Sequence, residues 1–190
     1  SALFSTMEMY VTWQMGRRIQ TGDIILDLLR PMGYTTYSWF QFSGNTLVSV
    51  FVNLLPTMVI VYLITGGGFT LSWNLLFFVI SILLGTILNF FINYFVGTIC
   101  FYTESIWGIN IMKQVIVLLL SGATIPLAFF PDKLRTLVWF LPFQSIYNAP
   151  LSLLLNGNPE IKTVCVTLGM QIFWAVALTI VSTIFWNRSL

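Results

Sequence analysis

Residues 74–98 run for 25 positions without a charged side chain. Few folds are open to such a run. As a helix it would be about 37 Å long, against a membrane hydrocarbon core of about 30 Å. A membrane β-strand needs only about 9–11 residues and alternates apolar with polar side chains, which this run does not do. Three further apolar runs, 46–65, 109–128 and 163–186, share its character. A water-facing surface would need polar material that the chain lacks, since 7% of its residues are charged against about 25% in ordinary globular domains. The sequence therefore predicts an all-α integral membrane protein, a polytopic helical bundle forming one transmembrane domain over 1–190. Residues 1–16 are expected to close a span that starts before Ser1.

The scarce charge is not spread evenly. Five charged residues, Arg17, Arg18, Asp23, Asp27 and Arg30, fall in the fourteen positions 17–30. Gly22 and Pro31 bracket the centre of this stretch. Asp23 stands where a helix N-cap is expected, and Pro31 ends the helix. Helical spacing then groups Ile24, Ile25, Leu28 and Leu29 on one face and Asp23, Asp27 and Arg30 on the other. Residues 17–31 are thus expected to form a short amphipathic helix at the membrane surface. It is either an interfacial anchor or a docking element for a soluble partner.

Basic residues orient the spans. Placing 17–45, the break at 101–113 and the C-terminus inside puts Arg17, Arg18, Arg30, Lys113 and Arg188 in the cytoplasm. Lys133, Arg135 and Lys162 are then outside, which is the favoured sign. Between 129 and 161 prolines interrupt the pattern. Pro142 separates two apolar pieces too short to span, so a re-entrant hairpin entering from the outer side is expected; a surface-lying segment is the other possibility. Such backbone is tolerated only where protein or a water-filled cavity covers it.

Small and amide residues recur four apart in the 74–98 run: Ser81, Gly85, Asn89, Asn93 and Gly97. Ser49 and Asn53 repeat the spacing in 46–65, and Thr167 and Gln171 in 163–186. Such residues let membrane helices approach closely and bond to one another; they also suit the lining of a substrate path. Glu8 is the one acidic candidate for an intramembrane charge, so an internal proton relay is not expected. There is no histidine, which excludes a His-based metal site or general base. "TGGGFTLS" has no lysine with which to hold a phosphate. Cys100 and Cys165, expected near opposite membrane faces, should not bridge, and both are expected to be small buried residues. The chain is not expected to be an enzyme by itself.

Two stretches, "GDIILDLLRP" (22–31) and "SGATIPLAFFPDKLRTLVWFLPFQSIYNAP" (121–150), resemble ABC exporter permeases of the bacterial type-2 group, whose members pair with a separate ATPase. The resemblance runs over nearly the whole chain. It implies six spans, of which the first is missing here, a cytoplasmic coupling helix after the second, and an outer re-entrant hairpin before the sixth. It implies that Arg17, Arg18, Asp23, Asp27 and Arg30 make polar contacts to an ABC ATPase dimer while Ile24, Ile25 and Leu28 fill its groove. It further implies a second permease subunit, identical or related, and a multi-pass location in the bacterial inner membrane. ATP and Mg would be held by the partner ATPase, with no cofactor in this chain and no nucleic acid. The aromatic, uncharged interior suits an amphipathic cargo such as a drug, peptide or lipid-linked molecule. A secondary transporter or a membrane assembly factor is the alternative that composition alone allows.

Overall fold

The computed structural model describes residues 2–54, 56, 59–60, 63, 73–103, 106–122, 130–155 and 161–189. Its regular elements are α1 (Ala2–Thr21), α2 (Ile24–Leu28), α3 (Tyr34–Ser49), α4 (Trp73–Ile99), α5 (Ile106–Leu120), α6 (Asp132–Phe140), α7 (Gln144–Leu155) and α8 (Ile161–Ser189). A π-helical turn, Val50–Leu54, continues α3. No strand occurs among the described residues.

α4 is the axis. It has no breaker along its length, and it packs against α1, α7 and α8. Among the described residues, two stretches are long and apolar enough to cross a membrane: Leu76–Ile99 in α4, with mean hydropathy 2.2, and Ile161–Ser189, with mean hydropathy 2.1. Their outward side chains are large and apolar, including Val79 and Leu83 on α4 and Ile172, Phe173, Val176 and Ile180 on α8. In water each such side chain would forgo about 1.5–3 kcal/mol of burial; lipid removes that cost.

Cross-contacts give the helix directions. Ser81 meets Gln171, Phe95 meets Phe185 and Tyr102 meets Ser189, so α4 and α8 run parallel. Thr12 meets Asn93 and Met15 meets the Gly97 position, so α1 also runs parallel to α4. α3 runs the other way, from Thr35 at Tyr94 to Phe42 at Phe90. An apolar cluster at the end where α1 finishes joins Val11, Met15, Ile24, Tyr34, Phe42, Phe90, Tyr94 and Trp186. The Tyr34 and Trp186 rings stack there at 4.7 Å. A second cluster, Leu88, Ile92, Ile146 and Ala175, joins α4 to α7 and α8.

Several boundaries differ from expectation. α1 continues through Arg17 and Arg18 to Thr21, so only Ile24–Leu28 forms a separate short helix. α3 begins at Tyr34, inside the stretch read as a connection, because its aromatic residues pack against Phe90 and Phe91. Most of 55–65, and the tail 123–128 of the run 109–128, lie outside the described residues. Of the two cysteines, Cys100 is buried but Cys165 is exposed, and both are free.

Candidate functional site

The turn from α1 into α2 is made by Gly22, whose φ of 78° suits a residue without a Cβ. Thr21 Oγ1 donates to Asp23 Oδ2 at 2.8 Å. Asp23 thus stands at the N-cap but its side chain makes no cap bond into α2. Within α2 the inward residues are Ile24 and Asp27. Ile24 joins the apolar cluster with Tyr34 and Trp186. Asp27 is 3% exposed and takes two arginines. Arg18 of α1 donates to its Oδ2, and Arg30 Nη2 lies 3.2 Å from its Oδ1. The Arg30 guanidinium in turn sits 4.2 Å from the centre of the Tyr37 ring on α3. The hydrogen bond to Asp27 raises the Arg18 pKa, with burial acting against it.

This corrects the expected faces. Ile24 does not share an outer face with Ile25 and Leu28, and Asp27, Arg18 and Arg30 are engaged with one another inside the chain. Burying a carboxylate is costly unless it is paired and hydrogen-bonded, and two guanidinium groups meet that condition here. The outer side of α2 is apolar instead: Ile25 is 62%, Leu26 66% and Leu29 77% exposed, with Leu28 and Met32 beside them. Arg17 and Asp23 are exposed at its margin.

The polar residues of α4 form a second feature. Ser81, Gly85, Asn89, Asn93 and Gly97 are all buried, yet they do not face one neighbour. Each four-residue step advances about 40° around a helix, and four steps give about 160°. The stripe therefore winds from α7 and α8 at one end to α1 at the other. At Gly85 an added Cβ would lie 3.3 Å from the Ile146 carbonyl oxygen; at Gly97 it would lie 2.8 Å from Met15 Sδ.

Asn93 is the hub of the lower half. Its Oδ1 accepts from Thr12 Oγ1 at 3.1 Å and from Lys113 Nζ at 2.5 Å. Its Nδ2 donates to Asn89 Oδ1 at 2.8 Å. Asn89 Nδ2 and Asn110 Oδ1 have no hydrogen-bond partner. Lys113 was expected to be a cytoplasmic anchor, but it is 6% exposed and lies about 10 Å along α5 from Ile106. It therefore drops out of the charge count that orients the spans. Asn93→Leu should be more damaging than Asn89→Leu, because it takes the donor from Asn89 Oδ1 and an acceptor from a buried ammonium, while Thr12 Oγ1 keeps the Asn93 backbone carbonyl. Stranded buried groups cost about 1–3 kcal/mol each, and more when charged. Comparing the yield of folded, detergent-extracted protein for the two variants checks this, and equal yields would contradict it.

Gln171 is the hub of the upper half. Ser81 Oγ donates to its Oε1 at 3.0 Å, while its Nε2 reaches the carbonyls of Ser81 (3.2 Å) and Ser145 (2.8 Å). One side chain of α8 thereby ties α4 to α7. The break between α6 and α7, at Leu141–Phe143, is closed by further donors. Trp174 Nε1 donates to Phe140 O at 2.9 Å, and Gln144 Nε2 to Trp139 O at 3.2 Å. These carbonyls belong to a helix end and have no partner within the helix. Trp174 follows Gln171 by three residues, and that spacing, with a polar tip on each, was the available signal for it. The side chain of Asn53, in the π-helical turn, lies outside the described residues.

No metal-binding group of acidic, cysteine or histidine side chains occurs among the described residues. Asn93 and Gln171 spend their donors and acceptors on protein groups, within α4 and across helices. A protein-family model described as ABC-2 family transporter protein matches residues 1–190. Neither curated proteins nor solved structures give a match.

Proposed function

We propose a function from one premise: the chain belongs to the ABC-2 family of transporter proteins. It is a membrane permease rather than the ATPase, and a family of this kind implies pairing with an ABC ATPase. Our reading is an ATP-driven exporter subunit in which α2 is the helix that meets the ATPase. The observation that carries it is the two-sidedness of α2. It is fastened inward by Ile24 and Asp27, and it presents Ile25, Leu26, Leu28 and Leu29 outward. A helix that must receive a push needs both a firm seat and a surface for a partner. Apolar side chains suit the buried centre of such a contact, where charge is depleted. Arg17 and Asp23 would sit at its rim.

The reading extends to α6 and α7 as a re-entrant hairpin on the outer side. Their junction packs, through Phe143, near Leu88 of α4, which is about 17 Å from the Ile99 end of that helix. The side-chain donors at Trp139, Phe140 and Ser145 meet the requirement that broken backbone inside a membrane be satisfied by protein. An amphipathic cargo, a second permease subunit, ATP and Mg on the ATPase, and a bacterial inner membrane complete the proposal. A second reading, that the apolar face of α2 lies in the membrane surface, is favoured by the same exposed leucines and is separated by experiment. The intact protein, purified in mild detergent, should bring down an ABC ATPase and show vanadate-sensitive ATP hydrolysis. Intact protein without a nucleotide-binding subunit would overturn the proposal.

A further inference from the structure

We propose that Asp27 is the strut through which movement of α2 reaches α1 and α3, and that it takes no part in the ATPase contact itself. The inference rests on the reading of α2 as the ATPase-facing helix. Three observations carry it. Asp27 points inward, away from the exposed face formed by Ile25, Leu26 and Leu29. Its two oxygens are divided: Oδ2 takes Arg18 of α1, and Oδ1 takes Arg30 in the turn that follows α2. Arg30 passes the connection on by lying over Tyr37 of α3. The other inward residue, Ile24, makes an apolar contact, which is non-directional and resists sliding poorly. Charge-assisted hydrogen bonds fix direction as well as distance. A displacement of a five-residue helix would therefore pass along the carboxylate–guanidinium branches. Loss of the Asp27 charge opens both branches at once, whereas loss of Arg18 opens the branch to α1, together with its own bond to Tyr37, and leaves the Asp27–Arg30–Tyr37 route to α3 closed.

The test uses the intact complex of the permease with its ATPase in lipid nanodiscs. Hydrogen exchange is compared without nucleotide and after trapping with ATP and vanadate. In the wild type, trapping should change exchange in α2, in the last turns of α1 and in the first turns of α3. In Asp27→Asn the ATPase should remain bound and the α2 response remain, while the α1 and α3 responses are lost. In Arg18→Gln the α1 response should be lost and the α3 response kept, a split that a merely structural role would not produce. If Asp27→Asn does not fold, Arg18→Gln alone decides. An α1 response equal to wild type in Arg18→Gln overturns the strut, as does loss of the ATPase from inserted Asp27→Asn. No nucleotide response at α2 of the wild-type complex overturns the strut together with the reading it rests on.

Discussion

Replacing Ile25 and Leu29 together by glutamate should strip the ATPase from the permease. Both side chains stand exposed on the outer face of α2, whereas Ile24 and Asp27 are the residues that seat it. Glutamate there would bring an unpaired carboxylate into a contact that excludes water. Apolar anchors at the centre of an interface are worth roughly 2–4 kcal/mol each when they are hot spots, which is on the order of 30- to 1,000-fold in affinity. The spans should still insert and fold, because these residues already face outward in the isolated chain. The amount of ATPase recovered with purified, monodisperse permease checks this. Rim substitutions such as Asp23→Asn should change recovery much less.

The second large effect is expected at Gln171. Gln171→Leu removes three hydrogen bonds and takes the α8 partner from the Ser81 hydroxyl and from the Ser81 and Ser145 carbonyls. Interhelical hydrogen bonds in membranes average only about 0.6 kcal/mol, because the separated helices find other partners. Ser81 can turn to its own helix backbone, so the small figure applies to it. Ser145 lies in the first turn of α7, where its carbonyl can also accept the helix N–H four residues on, so the small figure applies there too and the three lost bonds sum to roughly 2 kcal/mol. The loss should fall on the seating of α7 against α4. Protease cleavage near Leu141–Phe143 in detergent should become faster while α8 stays intact. Cleavage at the wild-type rate would show that Gln171 is dispensable.

The long elements could be read from sequence because nothing interrupts them. The run 74–98 becomes α4 within one residue at each end, and 163–186 lies inside α8. Pro142, between two short apolar pieces, marked the break between α6 and α7. The orientation of α2 could not be read in the same way. Periodicity sorts seven residues into two faces but does not say which one turns inward, and here Arg18 and Arg30 make Asp27 a residue that can be buried. Lys113 was misread for a related reason. An isolated lysine near a predicted boundary looks like an anchor, and its burial depends on an acceptor from another helix, Asn93 Oδ1. The α4 stripe was visible as spacing, but exact fours drift around a helix, so one apparent face serves two sets of neighbours.

The central claim is that the outer face of α2 rests on an ATPase. Its most direct test is a photo-crosslinking amino acid placed at Leu29, and in a parallel variant at Ile24, in cells that make the whole transporter. The account predicts a covalent adduct with the ATPase from position 29, and from position 24 only links within the permease. Adducts from position 29 to lipid alone, with the ATPase present and unlinked, would contradict it.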